Sequence, residues 1–181
     1  MALTPSTMLP LQHMEPDFNL LDVRLKENVS FTELKGTLVV FMCNHCPFVI
    51  HLLEHFNLLA DELKPQEIAT IAISSNDIEN YPQDGPQQMV ALCKEYGISF
   101  PYLYDATQEV AKAYDVACTP EFYLFDGQNK LVYHGRYDAS RPQSVTPITG
   151  EDLKSAALNF INKKPISENQ FSSMGCNIKW K

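Results

Sequence analysis

Two cysteines, Cys43 and Cys46, are separated by two residues and come directly after an apolar, β-prone run at 38–42. The residues that follow, up to Lys64, have the apolar spacing of a helix. This pattern places both thiols at the start of a helix, close enough to form a small, reversible disulfide ring. Unpaired N–H groups and the positive end of the helix dipole at that position favour a thiolate. We predict that Cys43 is the attacking thiolate and Cys46 the resolving thiol.

The segments around the cysteines alternate between strand and helix patterns. The run at 37–41 is continuously apolar, as expected for a strand that is buried on both faces. The pattern predicts strands at 37–41, 67–74, 122–125 and 131–134, and helices at 46–64, 86–96, 107–114 and 151–161, with a short apolar run at 100–104. This order indicates an α/β fold in which helices flank a mixed central β-sheet. We expect a single domain over 1–181, with an N-terminal extension at 1–16, a turn at 31–36 and a C-terminal tail at 163–181.

Composition excludes some classes of function. The chain has 181 residues with 14 Lys and Arg against 22 Asp and Glu, a net charge of −8, which argues against nucleic acid or an anionic membrane as a partner. No apolar run has the length of a membrane span, and no basic segment followed by an apolar one marks a secretory signal. We therefore expect a cytoplasmic protein whose five cysteines are catalytic or reduced thiols. The oligomeric state is not indicated.

Five segments resemble proteins of the thioredoxin superfamily. They are FMCNHCPFV (41–49), EIATIAISSND (67–77), FPYLYDATQEVAKAYDV (100–116), CTPEFYLFD (118–126) and SMGCNIKWK (173–181). More specifically, the chain is similar from about residue 17 onward to the redoxin, or peroxiredoxin-like, group related to the alkyl hydroperoxide reductase and thiol-specific antioxidant (AhpC/TSA) proteins. The resemblance implies a thioredoxin-like fold and a cis bond between Thr119 and Pro120 beside the redox pair. In such proteins the backbone before the proline can pair with an extended substrate.

The chain also departs from the patterns of these relatives. Met42 stands where thioredoxin has Trp, and Thr37 falls where thioredoxin has a buried carboxylate. Peroxidatic cysteines of peroxiredoxins follow a Thr or Ser three residues earlier, where this chain has Val40. No motif places Arg136 or Arg141 as the partner arginine. These departures favour dithiol–disulfide exchange over peroxidase chemistry.

Three further residues are candidates for the site. His45 lies between the two cysteines in C-N-H-C, which is similar to the C-P-H-C of DsbA, where a histidine stabilises the thiolate. It either raises the oxidising power in this way or is a solvent-facing loop residue. Cys118 precedes Pro120 by two residues and is expected near Cys43. We predict that Cys176 folds back towards Cys118 or the active turn as an auxiliary thiol relay; the alternative is a plain thiol in a docked tail.

The segment from His51 to His55 spells H-x-x-E-H, which matches a zinc-peptidase signature. His51 and Glu54 fall on the face of the predicted helix opposite its apolar stripe, so a solvated surface also explains them. No third ligand is indicated. We therefore favour the surface interpretation and predict no metal site.

The sequence favours a thiol–disulfide oxidoreductase whose redox centre is the Cys43–Cys46 pair. It needs no metal or organic cofactor, because the disulfide itself is the redox centre. Electrons would come from a thiol donor such as a thioredoxin system or glutathione, and the substrate would be a protein disulfide or a hydroperoxide. The alternatives are a peroxiredoxin-like thiol peroxidase with antioxidant activity and a non-enzymatic redox-switch module.

Overall fold

A computed structural model describes residues 3–30 and 34–181, and within these ranges it contains ten strands and four α-helices. The predicted turn at 31–36 lies partly outside the described residues. The strands are β1 (Leu3–Pro5), β2 (Asn19–Asp22), β3 (Asn28–Ser30), β4 (Gly36–Phe41), β5 (Ile68–Ser74), β6 (Tyr102–Tyr104), β7 (Cys118–Thr119), β8 (Glu121–Asp126), β9 (Leu131–Gly135) and β10 (Met174–Asn177). The helices are α1 (Pro47–Leu63), α2 (Pro86–Tyr96), α3 (Glu109–Ala113) and α4 (Glu151–Ile161). Short 3₁₀ helices cover Lys64–Gln66 and Pro82–Asp84.

The central sheet has seven strands in the order β3-β2-β6-β5-β4-β8-β9. Strand β4 is parallel to β5 and antiparallel to β8, so the sheet is mixed, as predicted. Every residue of β4 is buried, because its apolar side chains face cores on both sides of the sheet. The predicted hairpin is the antiparallel pair β8–β9. The strand that leads into the cysteines therefore lies in the interior of the sheet.

Helix α1 packs on the sheet through the apolar stripe that the sequence predicts. Its buried residues are Val49, Leu52, Leu53, Phe56, Leu59, Ala60 and Leu63. Burying side chains of this size stabilises the fold by roughly 1.5–3 kcal/mol each. Pro47 begins the helix, at a position where a missing N–H costs little. None of the helices in the described ranges is both long enough and apolar enough to cross a membrane.

The two ends of the chain meet in a second, three-stranded sheet in the order β1-β10-β7. Both pairings are antiparallel, and Cys176 of β10 lies opposite Leu3 on one side and Thr119 on the other. Parts of the predicted extension and tail are thus regular strands. Their shortness hides them in the sequence, since three or four residues are too few for a strand period. The tail reaches the cysteines through this sheet.

Candidate redox-active site

The two cysteines lie in the turn that joins β4 to α1. Strand β4 ends at Phe41, and Cys46 is the N-cap residue of α1. Cys43 is 1% exposed and Cys46 is fully buried. The predicted position of both thiols at a strand-to-helix turn is therefore confirmed. The turn joins a fully buried central strand to a helix that packs on the sheet, so both ends of the turn are held in place.

Thr119 contacts both sulfurs. The Thr119–Pro120 peptide bond is cis, as the resemblance implied. Cys43 Sγ lies 3.5 Å from the Thr119 hydroxyl, and Cys46 Sγ lies 3.2 Å from the Thr119 carbonyl oxygen. The structure thus brings together four of the predicted site residues.

The backbone edge at Thr119 is not open to a substrate, which corrects the prediction that it is available for pairing. Strand β10 occupies that edge, with Cys176 opposite Thr119 and Asn177 opposite Cys118. Gly175 allows this close approach, because a Cβ at that position would lie 2.0 Å from the Thr119 carbonyl oxygen. The chain's own tail therefore takes the place expected for an extended substrate.

The two auxiliary thiols have different neighbours. Cys176 Sγ lies 3.0 Å from Cys46 Sγ, so the tail folds back to the active turn. The thiol of Cys118 instead points to Glu121, with its sulfur 3.7 Å from Oε2. Both residues are buried. Cys176 is thus placed beside the redox pair, whereas the nearest hydrogen-bonding partner of the Cys118 thiol is a carboxylate.

The acidities of the two thiols are linked by a hydrogen bond between them. The pKa of Cys46 is lowered to about 5, chiefly by the hydrogen bond from Cys43 and further by Cys176 and Thr119, which together outweigh burial. The pKa of Cys43 is raised well above its usual value by its hydrogen bond to Cys46, by burial and by the charge of Asp84. The Thr119 carbonyl opposes a charge on Cys46, but the donors outnumber it. The hydrogen bond between the two sulfurs therefore favours one thiolate and one thiol in the pair over two neutral thiols.

Asp84 holds the two residues between the cysteines, and sequence reasoning missed it. Its side chain is fully buried at the end of the second 3₁₀ helix. Oδ1 accepts the backbone N–H groups of Asn44 (2.9 Å) and His45 (3.3 Å). Oδ2 accepts the Asn76 amide (2.8 Å) and pairs with His45 Nδ1 (2.7 Å). A single acid in a polar loop carries no sequence motif, so only the fold reveals this role.

His45 is neither a freely solvated loop residue nor a direct hydrogen-bond donor to a sulfur. Its ring stacks on Tyr81 at 5.8 Å between centroids, and its side chain is 20% exposed. One ring nitrogen, the Cys43 sulfur and an Asp84 oxygen lie within 4.8 Å of one another. Sulfur, imidazole and carboxylate are ligands that zinc accepts. In this structure, however, His45 and Asp84 already use their facing atoms to bind each other.

A second buried carboxylate, Glu121, supports the strand next to the sulfurs and was also missed. Its Oε2 accepts the backbone N–H groups of Ala117 (3.0 Å) and Cys118 (3.1 Å). Its Oε1 accepts the Tyr123 hydroxyl and pairs with His134 Nε2, both at 2.8 Å. Glu121 and His134 are fully buried. This network fixes the backbone of β7, on which the tail docks.

The histidines of the H-x-x-E-H segment do not converge on a common point. His51 Nε2 lies 3.1 Å from the Ser140 hydroxyl, and His55 Nδ1 lies 2.5 Å from the Tyr137 hydroxyl. Glu54 is exposed, as predicted for a solvated face. The two histidines are half-buried against the loop after β9 and serve to pack it on α1.

The two arginines considered for peroxidase chemistry lie beside the proline rather than at the thiols. Arg136 and Arg141 line a small cavity of ≈ 40 Å³ next to Pro120. The Arg136 Nε donates to Asp152 at 2.6 Å, and its guanidinium covers the ring of Phe171. Arg136 is therefore engaged in structural contacts.

Comparisons with known proteins agree with this architecture. An uncharacterized conserved protein from Geobacillus kaustophilus is 45% identical with a TM-score of 0.97, over 100% of this chain and 97% of that one. A thiol:disulfide interchange protein of the thioredoxin family from Chlorobium tepidum TLS is 16% identical with a TM-score of 0.63, over 86% and 99% of the two chains. These likenesses show that the fold is thioredoxin-like.

Sequence comparison reaches the same group. The thiol-disulfide oxidoreductase ResA of Halalkalibacterium halodurans is 29% identical over 108 residues, which are 59% of this chain and 57% of that protein. The chain thus matches little more than half of the length of this relative. The AhpC/TSA family model matches residues 11–134, which include the cysteine turn and the cis proline. The chain therefore belongs to the AhpC/TSA family, within the thioredoxin superfamily.

Proposed function

We propose that the protein is a thiol–disulfide oxidoreductase that works through a reversible disulfide between Cys43 and Cys46. One observation carries the proposal: both sulfurs lie at the start of α1 in contact with Thr119, beside a cis proline. The pKa of Cys46, about 5, supplies a thiolate at neutral pH. The name of the ResA relative supports the same reaction class.

The arrangement suggests how the two thiols divide the reaction. As the Cys43 sulfur attacks one sulfur of a substrate disulfide, the Cys46 thiolate accepts the Cys43 proton. The first substrate thiolate leaves, takes up that proton from Cys46, and Cys43 stays in a mixed disulfide. The Cys46 thiolate then attacks the Cys43 sulfur and expels the second substrate thiolate, which takes a proton from water. One substrate disulfide becomes two thiols, and the two enzyme thiols become one disulfide.

The docked C-terminal tail limits which substrates can reach the backbone of Thr119. Strand β10 fills the Thr119 edge, so an extended polypeptide could pair there only after the tail moves. A low-molecular-weight disulfide needs no such edge. We therefore place small disulfides ahead of protein disulfides as substrates of the closed form, with a glutathione or thioredoxin system in the cytoplasm as the thiol donor.

A thiol peroxidase is the second candidate, because the chain belongs to the AhpC/TSA family and a hydroperoxide also needs no backbone edge. In that reaction the Cys43 sulfur attacks the peroxide and becomes a sulfenic acid while an alcohol leaves. Cys46 then attacks the Cys43 sulfur, and water leaves as the disulfide forms. The position of Arg136, paired with Asp152, gives this reaction no evident positive charge at the thiol.

The test follows the consumption of glutathione disulfide and of hydrogen peroxide by the protein while a thioredoxin system, as the thiol donor, reduces the protein again after each turnover; the rate without the protein is subtracted. We expect multiple turnover of the disulfide by the wild type, none by Cys43→Ser, and arrest of Cys46→Ser at a mixed disulfide. Cys93→Ser is the matched control, since this buried cysteine lies on α2 away from the turn. Turnover that survives Cys43→Ser would refute the proposal. Faster reaction with peroxide than with the disulfide would select the peroxidase, and failure of both would leave a redox-switch module.

A further inference from the structure

We propose that Cys46 has a second disulfide partner, Cys176, and that the oxidised enzyme interconverts between a Cys43–Cys46 and a Cys46–Cys176 disulfide. The inference rests on the proposed function, because the first disulfide is made by that reaction. It adds a redox pair inside the tail sheet. Cys46 is the sulfur common to both bonds.

The first support is the position of the three sulfurs. Cys46 Sγ is 3.0 Å from Cys176 Sγ, which is about 1 Å longer than a disulfide bond. Cys46 also takes a hydrogen bond from Cys43. Cys46 therefore lies between two thiols, each within reach of its sulfur. Cys46 is fully buried and Cys176 is 2% exposed, so solvent thiols have little access to this inner pair.

The second support is the docking of the strand that carries Cys176. Cys176 is held in register between β1 and β7, opposite Leu3 and Thr119. Gly175 lets β10 approach the Thr119 carbonyl more closely than any residue with a side chain would allow. The tail thus pairs at the backbone position where a substrate would pair, with a thiol aimed at the redox centre. Such docking gives Cys176 a high effective concentration at Cys46.

The third support is a chain of contacts between the tail and the turn. The Asn76 side chain donates to Asp84 (2.8 Å) and accepts the backbone N–H of Lys179 (2.9 Å). The Asp77 N–H donates to the Lys179 carbonyl oxygen at 2.8 Å. The carboxylate that fixes the residues between the cysteines is therefore linked, through Asn76, to the segment that follows Cys176. Hydrogen bonds through Asn76 thus connect the C-terminal tail to the turn that carries the cysteines.

The step is an internal thiol–disulfide exchange and needs no outside oxidant. The Cys176 sulfur attacks the Cys46 sulfur of the Cys43–Cys46 disulfide, and the sulfur of Cys43 leaves. One S–S bond breaks, one forms, and the proton of Cys176 ends on Cys43. The number of electrons in the protein does not change.

The exchange has two consequences. Cys43 becomes a thiol again while the protein keeps its oxidising equivalent in the inner pair. At the same time, a covalent bond ties β10 to the turn, so the edge at Thr119 stays closed until a donor reduces the inner disulfide. The oxidised enzyme then has one form with a reactive outer disulfide and one with a protected inner disulfide.

The test is peptide mapping of protein oxidised with glutathione disulfide, quenched with acid and alkylated. We expect the oxidised wild type to give both a Cys43–Cys46 and a Cys46–Cys176 link, and Cys93→Ser to match the wild type. Cys176→Ser should give the Cys43–Cys46 link alone. A wild type that carries only the Cys43–Cys46 link would overturn the second disulfide, whereas a wild type that forms no Cys43–Cys46 link would overturn the proposed function instead.

A second variant keeps all thiols and tests the docking of the strand that carries Cys176. Gly175→Ala should push β10 away from Thr119, because the added Cβ meets the carbonyl oxygen. We expect the share of the Cys46–Cys176 link to fall at least about tenfold, while the Cys43–Cys46 link still forms. An unchanged share in Gly175→Ala would contradict the role of the docked strand.

Discussion

Two buried carboxylates, Asp84 and Glu121, stand at the redox site, and they act on different parts of it. Both are fully buried, and both oxygens of each have at least two partners. Asp84 binds the backbone and ring of residues between the cysteines, so it bears directly on the reactive turn. Glu121 binds the backbone that leads into β7, so it bears on the strand where the tail docks. Asp84 therefore holds the turn that carries the reactive thiols, whereas Glu121 holds the neighbouring strand.

The charge of Asp84 also reaches the sulfurs, whereas Glu121 acts mainly on Cys118. After the hydrogen bond to Cys46 and burial, Asp84 is the next cause that raises the pKa of Cys43. Burial and then the charge of Glu121 raise the pKa of Cys118 far above its usual range. A carboxylate beside each thiol keeps that thiol protonated. The two carboxylates therefore disfavour a negative charge on Cys43 and on Cys118.

The largest expected effect on stability is that of Glu121→Ala. It leaves His134 and two backbone N–H groups buried without their acceptor, so we expect the free energy of unfolding to fall by about 3–5 kcal/mol. Chemical denaturation of the reduced protein measures this loss. Glu54→Ala, which removes an exposed carboxylate from α1, is the control and should change little. The alkylation rate of Cys43 in folded Glu121→Ala should stay near that of the wild type, and a large increase would break the comparison.

Asp84→Asn should change stability less and reactivity more. The amide replaces one acceptor oxygen, so two of the four donors lose their partner, and we expect a loss of about 1–3 kcal/mol. Removing the charge lowers the pKa of Cys43, so its alkylation at neutral pH should rise by up to about tenfold. Mass mapping of the alkylated cysteine measures the rate. Glu79→Gln removes an exposed charge from the same loop and should leave the rate unchanged.

The sequence was sufficient for the elements whose signal is local. The apolar run of β4, the stripe of α1 and the C-x-x-C turn are each readable from consecutive residues, and the resemblance supplied the cis proline. The sequence did not predict contacts between residues that are far apart along the chain. Asp84 and Glu121 have partners scattered along the chain, and nothing near Cys176 indicates that its strand pairs with Thr119. The acidity of the sulfur pair likewise depends on contacts with Asp84 and Cys176, so the attacking role of Cys43 stays a prediction.

A third carboxylate, Glu15, is also buried but has fewer hydrogen-bond partners, and its pKa is raised. Its residue is 8% exposed, and Oε1 accepts the Tyr114 hydroxyl at 2.8 Å. Within the described residues, its Oε2 has no hydrogen-bond partner. Burial, with a smaller contribution from Asp17, raises the pKa of Glu15 to about 8 against the effect of Tyr114. Burial thus favours the neutral acid at Glu15, whereas every carboxylate oxygen of Asp84 and Glu121 accepts hydrogen bonds.

Glu15→Gln should have the smallest effect of the three substitutions near pH 4, and its effect should grow with pH. Because the folded state holds the Glu15 proton more tightly than the unfolded state, this contribution is complete below the unfolded pKa of about 4.5 and is lost as the pH rises through about 8. The glutamine keeps an acceptor for Tyr114 and has no proton to lose. The rise of the pKa from 4.5 to about 8 corresponds to roughly 4–5 kcal/mol. We therefore expect the Tm of the variant to exceed that of the wild type by roughly 10 °C at pH 8 and to differ little near pH 4. A Tm difference that stays constant over this range would show that Glu15 is ionised in the folded protein, and the contrast with Asp84 and Glu121 would no longer hold.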